Sequence, residues 1–255
     1  PDPAQPITEA DIEAAKERLI RRQDTHLDSL AERLREPRVR RIIEPILAGA
    51  ALPAVPEDDI RYVLDLGLVR AQDGGGLVIA NPIYREVIPR SLTTVPLASM
   101  PELQPIWLTP DGNLDEARLL EAFLAFWRQH GEPLLGAAPY HEIAPHLVLM
   151  AFLHRVVNGG GSLEREYAIG SGRMDLLVRY RDRVLAIELK VWRDHEPDPL
   201  VEGLAQLDRY LAGLGLDHGW LVLFDRRSGA ARLADRTSSS EAISPGGRRI
   251  VVIRA

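Results

Sequence analysis

Three charged side chains interrupt an otherwise apolar stretch of this 255-residue chain: Asp175 in "MDLLVRY", and Glu188 and Lys190 in "VLAIELKVW". Both segments read as strands, and Arg181–Asp182 between them reads as a two-residue turn. Pairing Tyr180 with Arg183 sets a register in which Asp175 faces Glu188. Directly opposed side chains project from one face with Cβ atoms roughly 4.5–5.5 Å apart. Lys190 lies two residues beyond Glu188 and shares that face. A slip of one residue would separate the group. Two close carboxylates in an apolar setting repel unless something compensates, and a divalent cation does. Mg²⁺ prefers oxygen ligands and takes one or two carboxylates plus water and substrate phosphate. Such an ion activates water and neutralises charge on a phosphodiester under attack. Lys190 is placed to hold the water or to stabilise the developing charge.

The surrounding elements must supply this placement. A helix over about 140–158 is expected to kink or restart at Pro145. "SLEREYAI" reads as a strand, followed by the two strands above. Asp198 and Pro199 open a helix to about Leu214, with Val201, Leu204 and Leu211 as its apolar stripe. "GWLVLFD" and "RRIVVIRA" read as further strands. The order is α-β-β-β-α-β with a final strand, an α/β (α+β) domain over 136–255 with a mixed central sheet.

Residues 1–95 read as a separate helical module. Helices are expected over about 8–22, 26–35, 37–49 and 56–67, then a hairpin around "DGGG" and a closing helix in "PIYREVIPR". Pro45 falls in the last turn of the third helix. Helices followed by a hairpin suggest a winged helix-turn-helix. Its candidate reading helix carries Glu57, Asp58, Asp59 and Asp65 against Arg61, so phosphates would repel it. A protein contact or structural role is expected there. The Pro-, Ser- and Thr-rich run 91–112 reads as a linker, and 114–129 as a connecting helix, so that 96–135 joins the two domains.

Composition narrows the chemistry. With 45% hydrophobic and 27% charged residues the chain reads as a soluble globular protein. It has no cysteine, which excludes disulfides, thiol nucleophiles and Cys-ligated zinc, and fits a cytoplasmic setting. No apolar run approaches a membrane span. The formal net charge of −6 means that a nucleic-acid site must be a local cleft assisted by a metal. The histidines of "HEIAPH" are five apart, which does not suit a zinc helix.

"MD" followed by "IELK" resembles the PD-(D/E)XK nuclease superfamily, whose fold has the same element order. The resemblance implies Mg²⁺- or Mn²⁺-dependent phosphodiester hydrolysis. It makes Asp175 and Glu188 metal ligands, with the carbonyl of Leu189 as a further ligand, and Lys190 the catalytic lysine. Met174 stands where the motif's name has proline. The resemblance also points to Glu142, ahead of the first strand, as a metal ligand, and to Gln206 as a residue close to the lysine. "THLDSLAERL", "LGLVR" and "NPIYREVIPR" resemble the segment that follows the nucleotide-binding core in certain bacterial AAA-like ATPases. No GxxxxGK(S/T) loop is present, and the chain starts at Pro1, so the expectation is that an ATPase core has been left off.

Each supporting residue has an ordinary alternative. Glu142 is either a ligand or a glutamate favoured at a helix start. Glu166 adds a carboxylate or pairs with Arg173. Arg173 contacts phosphate or balances Glu188. Trp192 stacks on a base or fills core. Tyr210 shares the face of Gln206 and either contacts nucleic acid or is a buried, hydrogen-bonded tyrosine. Three functional readings follow: a nuclease acting on nucleic acid, DNA in the first instance; a catalytically silent binding or regulatory module; and a structural ionic cluster. No membrane partner is expected, and a homo-oligomer stays open.

Overall fold

The computed structural model of the chain describes residues 30, 32–47, 52–72, 75–137, 143–169 and 172–255. Side chains of 82, 85, 86, 90, 91, 94, 95, 137, 165–169 and 172–174 fall outside that description. So do the whole of the expected helix over 8–22 and half of that over 26–35. The protein is mixed α/β and divides into two compact units, Pro1–Thr94 and Val95–Ala255.

In the first unit, helix α1 (Pro37–Leu47) precedes α2 (Glu57–Asp65), and a short antiparallel hairpin joins β1 (Val69–Ala71) to β2 (Leu77–Ile79). Val39, Ile42, Ile43, Val63, Leu68 and Ile79 are buried. Gly67 takes a φ of +68° where α2 turns into β1, a conformation that favours glycine. Asn81 Oδ1 accepts the Tyr84 N–H at 2.9 Å and opens helix α3 (Pro82–Ser99).

Helix α3 corrects one sequence expectation. The linker assigned to 91–112 is helical as far as Ser99. Leu92 and Thr93 are buried, and the Thr93 hydroxyl donates to the Pro89 carbonyl at 2.7 Å. Burial along the helix outweighs the low helix propensity of its Pro, Ser and Thr residues.

The second unit opens on the last turn of α3, and the irregular run after Ser99 is pinned by a bridge between Leu108 and Leu114. Helix α4 (Glu116–Ala137) starts at Asp115, whose Oδ1 accepts the N–H groups of Ala117 and Arg118, both at 3.1 Å. It runs past the expected end at Gln129 and through Pro133. Helix α5 (Ala144–Val157) carries Pro145 in its first turn, the position that suits proline, so the residue opens the helix rather than kinking it. Its buried residues lie all round the axis rather than on one stripe.

Strands β3 (Gly161–Ile169), β4 (Gly172–Tyr180) and β5 (Arg183–Trp192) form an antiparallel meander. Helix α6 (Leu200–Leu214) crosses to β6 (His218–Asp225), which lies parallel to β5. A short helix α7 (Leu233–Arg236) and strand β7 (Ser238–Ile243) precede β8 (Arg249–Arg254). The six-stranded mixed sheet has the order β3-β4-β5-β6-β8-β7.

Two cores flank this sheet. One face packs on α4 and α5 through Phe123, Trp127, Phe152, Trp220 and Phe224. Edge-to-face and tilted ring contacts at 5.1–5.9 Å run through it. The helix over 114–137 is therefore built into this core. The other face packs on α6 through Leu177, Ala186, Leu221, Leu207 and Leu211. Val201 was expected in the stripe of α6 but is 77% exposed. The buried positions Gly203, Leu207 and Leu211 follow helical spacing, and Val201 lies off that line.

Candidate functional site

The turn Arg181–Asp182 closes the β4–β5 hairpin with Tyr180 paired to Arg183 and Leu176 to Ile187. Arg181 takes a φ of 54° in this turn. The register is the one expected from the sequence, and its next step sets Asp175 opposite Glu188. Alternation then sorts the side chains. Leu176, Ile187 and Leu189 belong to the α4–α5 core, whereas Leu177 and Ala186 face α6. Asp175, Glu188 and Lys190 consequently share the α6 face of the sheet.

The three are held differently. Asp175 Oδ2 accepts the Leu189 N–H at 2.8 Å, which fastens the end of β4 to β5 beyond the last ladder pair. The Glu188 side chain is 1% exposed, and among the described residues neither carboxylate oxygen has a hydrogen bond. Lys190 Nζ is 3.4 Å from Glu188 Oε1, an ion pair outside hydrogen-bonding alignment. The same ammonium donates to Gln206 Oε1 at 2.7 Å and to Glu202 Oε1 at 3.1 Å. Gln206 Nε2 donates to the Tyr210 hydroxyl at 3.2 Å. Thus α6 presents Glu202 and Gln206 to one lysine of β5, with Tyr210 a further turn along holding Gln206.

Burial, and after it the nearby Asp175 charge, push the Glu188 carboxyl up to about 9; Lys190 opposes them. On Lys190, burial pulls the ammonium down, but Glu188 and Glu202 outweigh it and leave a raised value. The two shifts pull against each other, because Lys190 gains from a charged Glu188 while Glu188 favours the neutral form. The upward direction for Glu188 is the one that holds, because burial and the Asp175 charge outweigh Lys190. Lys190 stays protonated in either case, because Glu202 and Gln206 accept its protons.

Other sequence-derived candidates sit as follows. Trp192 is half-buried at the end of β5; its Nε1–H donates to the Glu196 carbonyl at 3.0 Å. The Arg227 guanidinium lies 3.5 Å above the Trp192 ring. Leu189 turns its side chain into the opposite core. Arg173 pairs with Ala168 across β3 and β4; its side chain and that of Glu166 lie outside the described residues. Glu142 lies outside them too. Glu202 was missed by sequence reasoning. Its signal was available, four residues before Gln206 on the same helix face.

Among the described residues no group of three or more His, Asp or Glu side chains is disposed to hold a metal ion. Two carboxylates with a backbone carbonyl remain a sufficient protein donor set for Mg²⁺, which keeps several waters. Glu188 fits such an ion, being a buried acceptor with no hydrogen bond among the described residues. No helix among the described residues is long and apolar enough to cross a membrane. Comparison with protein-family models, curated proteins and solved structures finds no match for this chain.

Proposed function

We propose that the Val95–Ala255 unit is a nuclease domain of the PD-(D/E)XK type. It would hydrolyse phosphodiesters of nucleic acid, DNA in the first instance, with Mg²⁺ or Mn²⁺. The observation that carries this reading is the buried Glu188 carboxyl. Neither of its oxygens has a hydrogen bond among the described residues, Asp175 raises its proton affinity, and Lys190 lies 3.4 Å away. Leaving such a group without partners is costly, and an apolar residue is often as stable there. A ligand role accounts for it.

Asp175, Glu188 and the Leu189 carbonyl would hold the cation, which when bound supplies water activation and charge neutralisation at a phosphate. Lys190 places a fixed ammonium next to the carboxylates, where it stabilises charge growing on the attacked phosphate. Gln206 positions Lys190, and Tyr210 positions Gln206. The order helix, three-strand meander, crossing helix, parallel strand supports a restriction-endonuclease-like arrangement.

The order α1, α2, hairpin, α3 supports a winged-helix-like module in the first unit. The first turn of α2 carries Glu57, Asp58 and Asp59, and Arg41 pairs with Asp59 at 3.2 Å. That surface suits a protein contact better than a phosphate backbone. An ATPase core joined to this module rests on the sequence resemblance of residues 25–34, 66–70 and 81–90 alone.

A second reading, a silent nuclease-like binding module, draws on the engagement of Lys190 by Glu202 and Gln206. One experiment separates the two. The protein is incubated with Mn²⁺ and plasmid, single-stranded or branched DNA, while calorimetry follows Mn²⁺ binding. Cleavage that Lys190→Ala eliminates with cation affinity retained supports the nuclease. Cation binding without turnover on any substrate leaves the silent module. No cation binding by the intact protein leaves an ionic cluster with a structural role.

A further inference from the structure

The carboxyl end of β6, a strand parallel to β5 and β8, opens on a second feature, apart from the carboxylates. A cavity of about 380 Å³ is lined by Glu132 of α4, Asp225, Arg226 and Arg227 at the end of β6, and Arg232 and Arg236 at α7. In open α/β sheets, ligands bind outside the carboxyl ends of parallel strands. Four guanidinium groups here face two carboxylates.

The pairing within the cavity is incomplete. Asp225 accepts from Arg227 Nε at 2.9 Å and Nη2 at 2.7 Å, so these two satisfy each other. Arg232 Nε donates to Asp235 at 3.0 Å. Glu132 accepts the Leu233 N–H at 3.0 Å. The exposed Arg226 side chain makes no hydrogen bond or ion pair among the described residues. Arg236 Nη2 donates to the Asp225 carbonyl at 2.8 Å, but its buried Nε–H has no partner among the described residues. Burial holds the Arg236 guanidinium below its ordinary value; Asp225 opposes this, and Arg226 adds to it. A buried donor without an acceptor carries a desolvation cost that an anion would remove.

The cavity is tied to the candidate site through β5. The Arg226 N–H donates to the Trp192 carbonyl at 2.8 Å, and Arg227 stacks on the Trp192 ring at 3.5 Å. Trp192 is two residues past Lys190, roughly 6–7 Å along the strand. Guanidinium forks match the oxygens of a phosphoryl group.

We propose that Arg226 and Arg236 form a phosphoryl-binding site, occupied by a backbone phosphate of the nucleic-acid strand presented to Lys190. The identity of the strand rests on the nuclease reading; the phosphoryl site itself is tested without turnover. The full chain carrying Asp175→Ala is titrated with a fluorescein-labelled single-stranded oligonucleotide, with inorganic pyrophosphate, and with poly-glutamate. Arg226→Glu, at an exposed position, is introduced into the same background.

Oligonucleotide binding should weaken at least about tenfold in Arg226→Glu, with a shallower dependence of affinity on salt. Pyrophosphate binding as tightly as the oligonucleotide, and lost in the variant, also upholds the site but assigns it to a small phosphorylated ligand. Oligonucleotide binding unchanged by Arg226→Glu overturns the proposal, as does equal affinity for poly-glutamate. Cleavage by the chain with Asp175 intact is scored separately. A protein that binds through Arg226 and does not cut refutes the nuclease reading and leaves this site standing.

Discussion

Lys190 of β5 donates to Gln206 of α6 at 2.7 Å, and Gln206 donates in turn to Tyr210 at 3.2 Å. A strand residue is thus oriented by two helix residues one turn apart. Glu202 holds the same ammonium from the exposed side, with its own side chain 73% exposed. Of these acceptors, Gln206 is the shielded one and sets the lysine's direction.

Gln206→Ala should therefore lower cleavage about tenfold while leaving Mn²⁺ affinity within about twofold, the result of losing one positioning hydrogen bond at a reacting group. Single-turnover rates and calorimetry read the two effects separately. A parallel loss of cation affinity would show that Gln206 supports the carboxylates instead.

Glu188→Gln should stabilise the cation-free protein increasingly as pH rises. The folded-state value of about 9 lies above the ordinary 4.5, so the folded chain holds this proton more tightly than the unfolded chain. The stability this contributes is fully present below about pH 4.5 and is lost as pH climbs through about 9, by up to about 1.4 kcal/mol per unit. Glutamine does not titrate and escapes that loss. Thermal melts in chelator at about pH 5, 7 and 8.5 should show a widening advantage for the variant. Added Mn²⁺ should raise the melting temperature of the wild type and not that of Glu188→Gln. An advantage constant with pH would show that Glu188 is ionised throughout.

Asp175→Asn and Asp175→Ala should part company. Asparagine keeps a carbonyl oxygen to accept the Leu189 N–H, which Asp175 now takes at 2.8 Å. Alanine leaves that N–H unpaired beside a buried residue, at a cost of about 1–3 kcal/mol. Both should lose cation binding, but only alanine should unfold markedly earlier in urea. Equal destabilisation would mean that the charge of Asp175, not its hydrogen bond, holds β4 to β5.

The site was legible in the sequence because two rules sufficed for it. Period-two alternation assigned faces, and a two-residue turn at Arg181–Asp182 fixed the register. Gln206 came from the family resemblance, and helical spacing put Tyr210 on its face. The parts that escaped have different causes. β7 is a polar edge strand, "SSSEAI", paired to β8 alone and mostly exposed. Its backbone ladder leaves no hydrophobic alternation to read. The continuation of α3 to Ser99 depends on burial of Leu92 and Thr93, which local propensity does not report. Val201 looked like core because it is apolar, yet the close approach of α6 to the sheet is made at a residue without a side chain.

That residue is Gly203, and it yields the prediction linking fold to site most directly. A Cβ there would meet Leu221 Cδ1 at 2.6 Å and Cδ2 at 3.0 Å, and Leu221 is fully buried in β6. Gly203 stands next to Glu202 and three residues before Gln206, so any outward shift of α6 moves both acceptors of Lys190. Gly203→Ala should destabilise the protein by about 1–3 kcal/mol through overpacking. It should also lower cleavage at temperatures where the variant is fully folded. Leu221→Ala makes room for the added methyl at the cost of a cavity. In a double-mutant cycle, Gly203→Ala with Leu221→Ala should then be less destabilised than the two single losses combined, with a coupling of about 0.5–3 kcal/mol. Cleavage should recover in the double variant relative to Gly203→Ala. Additive stabilities with no recovery would mean that Gly203 does not set the distance between α6 and the sheet.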